Sequence, residues 1–149
     1  MKPLVVLLAT FTLGLVVIKL IDGAWNFPLA GTIAMSAMLL FTAIAHFAFS
    51  AGMVLMLPSF VPFKKQMVWA TGILELIAAI GLLLPAWKHS TAIWLMIFFM
   101  LVLPANIYAA VKKVDYQKGN YDGSGLPYLW FRVPLQLLFI AWVYWFAYR

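Results

Sequence analysis

The chain contains no cysteine. That absence excludes disulfides, thiolate nucleophiles, Cys-ligated metal and Cys-x-x-Cys redox chemistry carried by the polypeptide itself. Any redox work would therefore need electrons carried by a bound cofactor or a partner. Charge is nearly as scarce, with charged residues making up 9% of 149 against 66% hydrophobic, and the mean hydropathy is +1.03. Soluble domains carry roughly a quarter charged residues, so a soluble domain is excluded and an integral membrane protein is indicated. The four acidic residues against ten basic ones leave a formal charge of +6. The lysines fall in short loops and form neither a basic face nor a motif, so nucleic acid is not an expected partner. No internal repeat is visible, and nothing suggests the inverted halves of a transporter.

What is present is a series of long apolar runs. Five emerge, at about 4–21, 29–57, 67–84, 91–110 and 126–148, separated by Asp22-Gly23 through Pro28, by Pro58 through Pro62, by Pro85 through Ser90 and by a polar loop from Lys112 to Gly125. About 20 residues cross 30 Å of hydrocarbon as a helix, and hydrocarbon offers free N–H and C=O groups no partner. The expected fold is an all-α membrane protein of five spans, a single transmembrane helical domain over 1–149. The second run is unusually long and is expected to tilt or to begin outside the hydrocarbon. Met1-Lys2-Pro3 and the apolar stretch to Ile21 resemble a signal peptide, yet no small-x-small cleavage site precedes a polar region, so a retained helix is expected.

Loop charges predict the orientation. Lys2, Lys64, Lys65, Lys112, Lys113 and Lys118 fall on one side, and Lys19, Lys88 and Arg149 on the other. The richer side should be cytoplasmic, placing the N-terminus inside and the C-terminus outside. Tyr128 and Trp130 would then mark the inner interface, and Trp142, Trp145 and Tyr148 the outer one.

Against this background Glu75 stands alone in its run, as Arg132 does in the last. A charged group at mid-membrane costs roughly 2.5–3.5 kcal/mol on insertion scales, so each must bring a benefit. A buried ion pair, a proton-handling site or a polar ligand pocket would each provide one. The spans also hold His46, Asn106 and Gln136. At 1.5 Å per residue, Asn106 and Arg132 lie roughly 5–10 Å from the inner ends, and Glu75, Gln136 and His46 roughly 10–17 Å. Convergence of four helices on one pocket is thus expected. Thr42, His46 and Ser50 share a helical face, as do Thr71 and Glu75, and Arg132 and Gln136. Ala48, Gly52, Gly72 and Ala79 would allow close helix approach. Pro104, two residues before Asn106, should kink the fourth helix and free a carbonyl.

Bland readings stand beside these. Glu75 and Arg132 can neutralise each other, with Asn106 and Gln136 satisfying the leftover groups. One imidazole makes a poor metal site and His89 lies in an outer loop, so no metal is expected. Met35, Met38, Met53, Trp94 and the phenylalanines read as lipid-facing or packing residues, and Lys19 as an interfacial anchor.

Ala45-His46-Phe47, Met56 through Pro62, Thr71 through Leu76, Pro104 through Tyr108 and Arg132-Val133-Pro134-Leu135-Gln136 together resemble the DoxX-like family of small bacterial membrane proteins, over about residues 35–148. The resemblance implies a four-helix transmembrane bundle, here with an added N-terminal helix, in the bacterial cytoplasmic (inner) membrane. His46, Glu75, Asn106, Arg132 and Gln136 fall on that family's recurring polar positions. Some relatives are described as subunits of thiosulfate:quinone oxidoreductase or partners in membrane redox complexes. Distant ones include a receptor-assembly chaperone and the sigma-2 receptor.

Two functions follow as expectations. In the first, the protein binds a lipophilic ligand such as a quinone in the inner half of the bundle, within a redox-associated complex containing a partner protein. Glu75 would exchange the proton with help from His46, and Asn106, Arg132 and Gln136 would hydrogen-bond a carbonyl or an anionic group. An enzyme of this kind would be an oxidoreductase subunit. In the second, the chain is a non-catalytic scaffold or assembly factor whose polar cluster is structural. Transport of a small solute is less favoured, although a homo-oligomer would supply more machinery.

Overall fold

The computed structural model describes residues 2–149. Among them there is no strand; six α-helices account for most of the chain. They are α1 (Lys2–Asp22), α2 (Phe27–Ala48), α3 (Ser50–Val54), α4 (Lys64–Leu83), α5 (Lys88–Val111) and α6 (Leu129–Val143). A 3-10 turn, Leu126–Tyr128, leads into α6, and a π-helical turn, Tyr144–Tyr148, continues it. Five helical segments are long and apolar enough to cross a membrane, the last running from Leu126 to Tyr148. Their outward surfaces carry exposed Val16, Leu20, Ile77, Ile80, Trp94 and Leu101, among many others. Contiguous apolar surface of this extent is incompatible with a soluble monomer and suited to hydrocarbon.

The second run is two elements rather than one long span. Asn26 caps α2 by accepting a hydrogen bond from the Leu29 N–H at 3.0 Å, and Pro28 occupies the first turn, where its missing N–H costs nothing. The helix then stops at Ala48, because Phe49 leaves helical geometry at φ −113° and ψ 27°. The short α3 docks through Gly52 onto the polar loop. A Cβ at Gly52 would collide with the Tyr116 carbonyl, so only glycine permits this approach. Ser50 consequently begins a new helix and does not continue the Thr42–His46 face.

Between helices in lipid, close packing and polar ties replace the hydrophobic drive of water. α2 is the hub, packed most extensively on α1 and α4. Ser36 donates to the Ala79 carbonyl at 2.6 Å, joining α2 to α4. The Thr32 hydroxyl, 2.8 Å from the Pro28 carbonyl of its own helix, also lies 3.1 Å from that of Phe146, and Trp142 Nε1 donates to the Gly31 carbonyl, joining α2 to the C-terminal segment. Trp142 is half-buried and packs against the core, and its indole N–H finds its acceptor in Gly31. The buried cluster includes Leu7, Met35, Met38, Leu39, Leu95, Phe99 and Val143.

The helix ends carry cation–aromatic pairs suited to an interface. Lys19 lies 4.2 Å from the Trp25 ring and Arg149 4.7 Å from that of Trp145 at one end, while Lys65 lies 5.0 Å from that of Trp69 at the other.

Candidate functional site

Four of the five polar residues form two separate clusters, and Gln136 stands apart from both. The first joins α2 to α4. Gly72 makes it possible: a Cβ there would stand 2.8 Å from His46 Cβ, so glycine lets the two backbones approach. His46 Nδ1 lies 3.1 Å from the Val68 carbonyl and 3.1 Å from Thr71 Oγ1, which itself lies 2.8 Å from the Val68 carbonyl. With hydrogen on Nδ1 the ring donates to the Val68 carbonyl, and with Nδ1 bare it accepts from the Thr71 hydroxyl. His46 Nε2 then faces Glu75 Oε1 at 3.5 Å.

The tautomer decides what the contact with Glu75 needs. In neutral His46 with hydrogen on Nδ1, Nε2 is a bare acceptor, and a carboxylate oxygen is another. Two acceptors repel. The contact is attractive only with one proton between them, either on the carboxyl group or on the imidazole. With hydrogen on Nε2 instead, neutral His46 donates to the Glu75 carboxylate across the same contact.

Glu75 is 7% exposed, and its second oxygen, Oε2, has no hydrogen-bond partner among the described residues. It borders a lateral groove of about 720 Å³ between α4 and α5, lined mainly by apolar side chains, among them Ile77, Ala78, Trp94 and Phe98. Ser90 and Thr91 supply hydroxyls on the α5 wall. Small-molecule sites commonly have this size and this mostly apolar lining with a few polar groups. Trp94, which the sequence presents as lipid-facing or packing, belongs to this wall. So does Trp87. Their common spacing of three to four along the chain, from Trp87 through Ser90, Thr91 and Trp94 to Phe98, is a legible signal that composition obscures.

The second cluster joins α5 to α6. Arg132 Nε and Nη2 both donate to Asn106 Oδ1, at 3.3 and 3.2 Å. Arg132 is half-buried, and its ring neighbour is Tyr128, 6.0 Å away. Asn106 is 3% exposed and its Nδ2 has no partner among the described residues. Both border a small pocket of about 30 Å³ beside the polar loop, which shares no lining residue with the groove. Gln136 borders neither cavity: its Nε2 donates to the Phe99 carbonyl at 2.6 Å, tying α6 to α5. The carbonyl deprived of a donor by Pro104 is that of the next residue, Met100, so Gln136 binds where the α5 ladder is weakened.

Neutralisation of Glu75 by Arg132 does not occur. Among the described residues Glu75 pairs with His46 and Arg132 with Asn106, and no bond connects the two clusters. Convergence on one pocket fails because matching depth does not supply matching azimuth. Glu75 turns toward α2 and the α4–α5 groove, while Arg132 turns toward the loop end of α5. No group of three or more His, Asp or Glu able to hold a metal occurs among the described residues.

No curated protein and no solved structure matches the chain. A family model described as a domain of unknown function, DUF8561, matches residues 35–147 and so takes in both clusters and both cavities. The chain belongs to the DUF8561 family.

Proposed function

We propose that this is a multi-pass membrane protein that binds a lipophilic ligand carrying an exchangeable proton in the groove between α4 and α5. The observation that carries this reading is Glu75 itself, which borders an apolar groove, touches the His46 imidazole and leaves Oε2 without a partner among the described residues. An ionised Glu75 accepts a hydrogen bond from a ligand hydroxyl, and a protonated one donates to a ligand carbonyl. The same pair thus serves both ends of a proton exchange, with His46 oriented by Val68 and Thr71. A quinol–quinone couple is the ligand class that the DoxX-like resemblance suggests. Since the chain has no cysteine, electrons would pass through a partner protein in a redox-associated complex of the bacterial inner membrane. The lysine distribution supports a cytoplasmic N-terminus.

The test combines extraction with titration. Mass spectrometry of lipid-soluble material from the purified protein should find a stoichiometric quinone or another hydroxylated lipid. Ala78→Phe fills the groove and should abolish binding of a short-chain quinol while the helices remain folded. An empty wild-type protein that also ignores added quinol would overturn the reading.

A scaffold or assembly role is favoured by a different observation. Ser36, Gln136 and Trp142 all commit their polar groups to interhelical backbone ties. On that reading no lipid copurifies, and substitutions in the two clusters alter stability alone.

A further inference from the structure

The Arg132–Asn106 pocket has a one-sided chemistry. Guanidinium groups only donate. The Asn106 atom facing Arg132 must therefore be its oxygen, which fixes the amide orientation and turns Nδ2 away as a buried donor. Two Arg132 donors converge on Asn106 Oδ1, and the remaining Arg132 N–H groups have no protein acceptor among the described residues. Ser124, Tyr116 and Tyr128 also line the pocket.

No carboxylate lies within ion-pair distance of Arg132 among the described residues. Asp115 instead pairs with Lys118 at 4.0 Å and accepts from the Gln117 and Lys118 N–H groups. The nearby Lys113 stem packs on Gly125, another residue of the pocket wall, adding a second cation at this end. A half-buried cation with no carboxylate partner is stabilised by an external counter-charge. Volume limits its size: about 30 Å³ accommodates about two water-sized centres.

We propose that this pocket binds one small anionic group, a halide or a single carboxylate, held by Arg132 and by Asn106 Nδ2. The anion is either free in solution or the headgroup carboxylate of an acidic lipid. This site does not depend on the groove reading, because the two cavities share no residue.

The experiment measures the thermal midpoint of the full chain in neutral detergent, with sodium formate or chloride compared against the bulkier gluconate at equal ionic strength. In a second arm, the protein sits in phosphatidylcholine nanodiscs in gluconate, with or without phosphatidylserine. A saturable rise in the first arm identifies a free anion, and a rise confined to the second identifies a lipid headgroup. Asn106→Asp places a carboxylate beside Arg132, so that protein should fold without added anion. Its response should be at least about tenfold weaker, the loss anticipated when a charge-assisted hydrogen bond is removed. A wild-type midpoint unchanged in both arms overturns the proposal. So does an Asn106→Asp protein whose response matches the wild type.

Discussion

Replacing Glu75 with glutamine tests the Glu75–His46 contact while leaving its shape almost unchanged. In Glu75→Gln the amide NH2 can face His46 Nε2, which is 3.5 Å from Oε1 in the native protein, and the amide oxygen can face the groove. The fold then keeps a donor–acceptor contact with no shared titratable proton. Glutamine carries no charge, so insertion should not suffer. Stability should change by less than about 1 kcal/mol, within the range of one interhelical hydrogen bond in a membrane. Ligand binding should respond differently. A hydrogen bond to a charged group contributes about 1.5–3 kcal/mol and a neutral one about 0.5–1.5. The difference of about 1–1.5 kcal/mol corresponds to roughly five- to fifteenfold weaker affinity for a hydroxylated ligand. Trp87 and Trp94 line the groove, so quenching of tryptophan fluorescence by a short-chain quinol in micelles reads occupancy, and Trp94→Phe assigns the signal. Unchanged affinity in a folded Glu75→Gln protein refutes the reasoning. Proton exchange with bound quinol should disappear in the same variant.

Gly72→Leu should shift α4 away from α2, because even its Cβ would meet His46 Cβ at 2.8 Å. Overpacking of this kind costs about 1–3 kcal/mol, visible as a lower thermal midpoint together with weaker quinol binding. Gln136→Leu removes the 2.6 Å bond to Phe99 and should destabilise the bundle by about 0.6–1.7 kcal/mol, with quinol affinity unchanged, measured by the same two assays. Gly52→Ala should lift α3 from the Tyr116 backbone and expose the 112–125 loop to protease, read as faster cleavage by trypsin at its lysines. The absence of native cysteine makes single-cysteine labelling clean. Lys65→Cys should react with a membrane-impermeant maleimide only from the cytoplasmic side, and Ala86→Cys only from the outside.

Much of the architecture is legible in composition. A run such as Leu4–Ile21 admits one regular solution in hydrocarbon, the helix, because it alone satisfies every backbone group within the segment. The cost of charge in lipid likewise singles out Glu75 and Arg132 without any knowledge of packing. Asn26, Pro28 and the loop prolines mark helix boundaries through local chemistry. The second run reads in sequence as one long element, because hydropathy remains high through Phe49 and Gly52 while the docking of α3 depends on a distant Tyr116 carbonyl.

Partnership within the bundle is a tertiary decision. The 1.5 Å rise per residue sets the depth of each polar group from its place in the chain, but depth leaves free the angle at which each helix presents its side chain. That angle follows from which neighbour packs on which face, and here Gly72 draws α4 onto His46 while Arg132 meets Asn106 across α5 and α6. Chain composition by itself determined five apolar helices carrying a few costly polar groups. Only helix packing divided those groups into a His46–Glu75 contact beside an apolar groove and an Arg132–Asn106 contact at a small pocket, since short-range hydrogen bonds depend on azimuth and contact rather than on hydropathy.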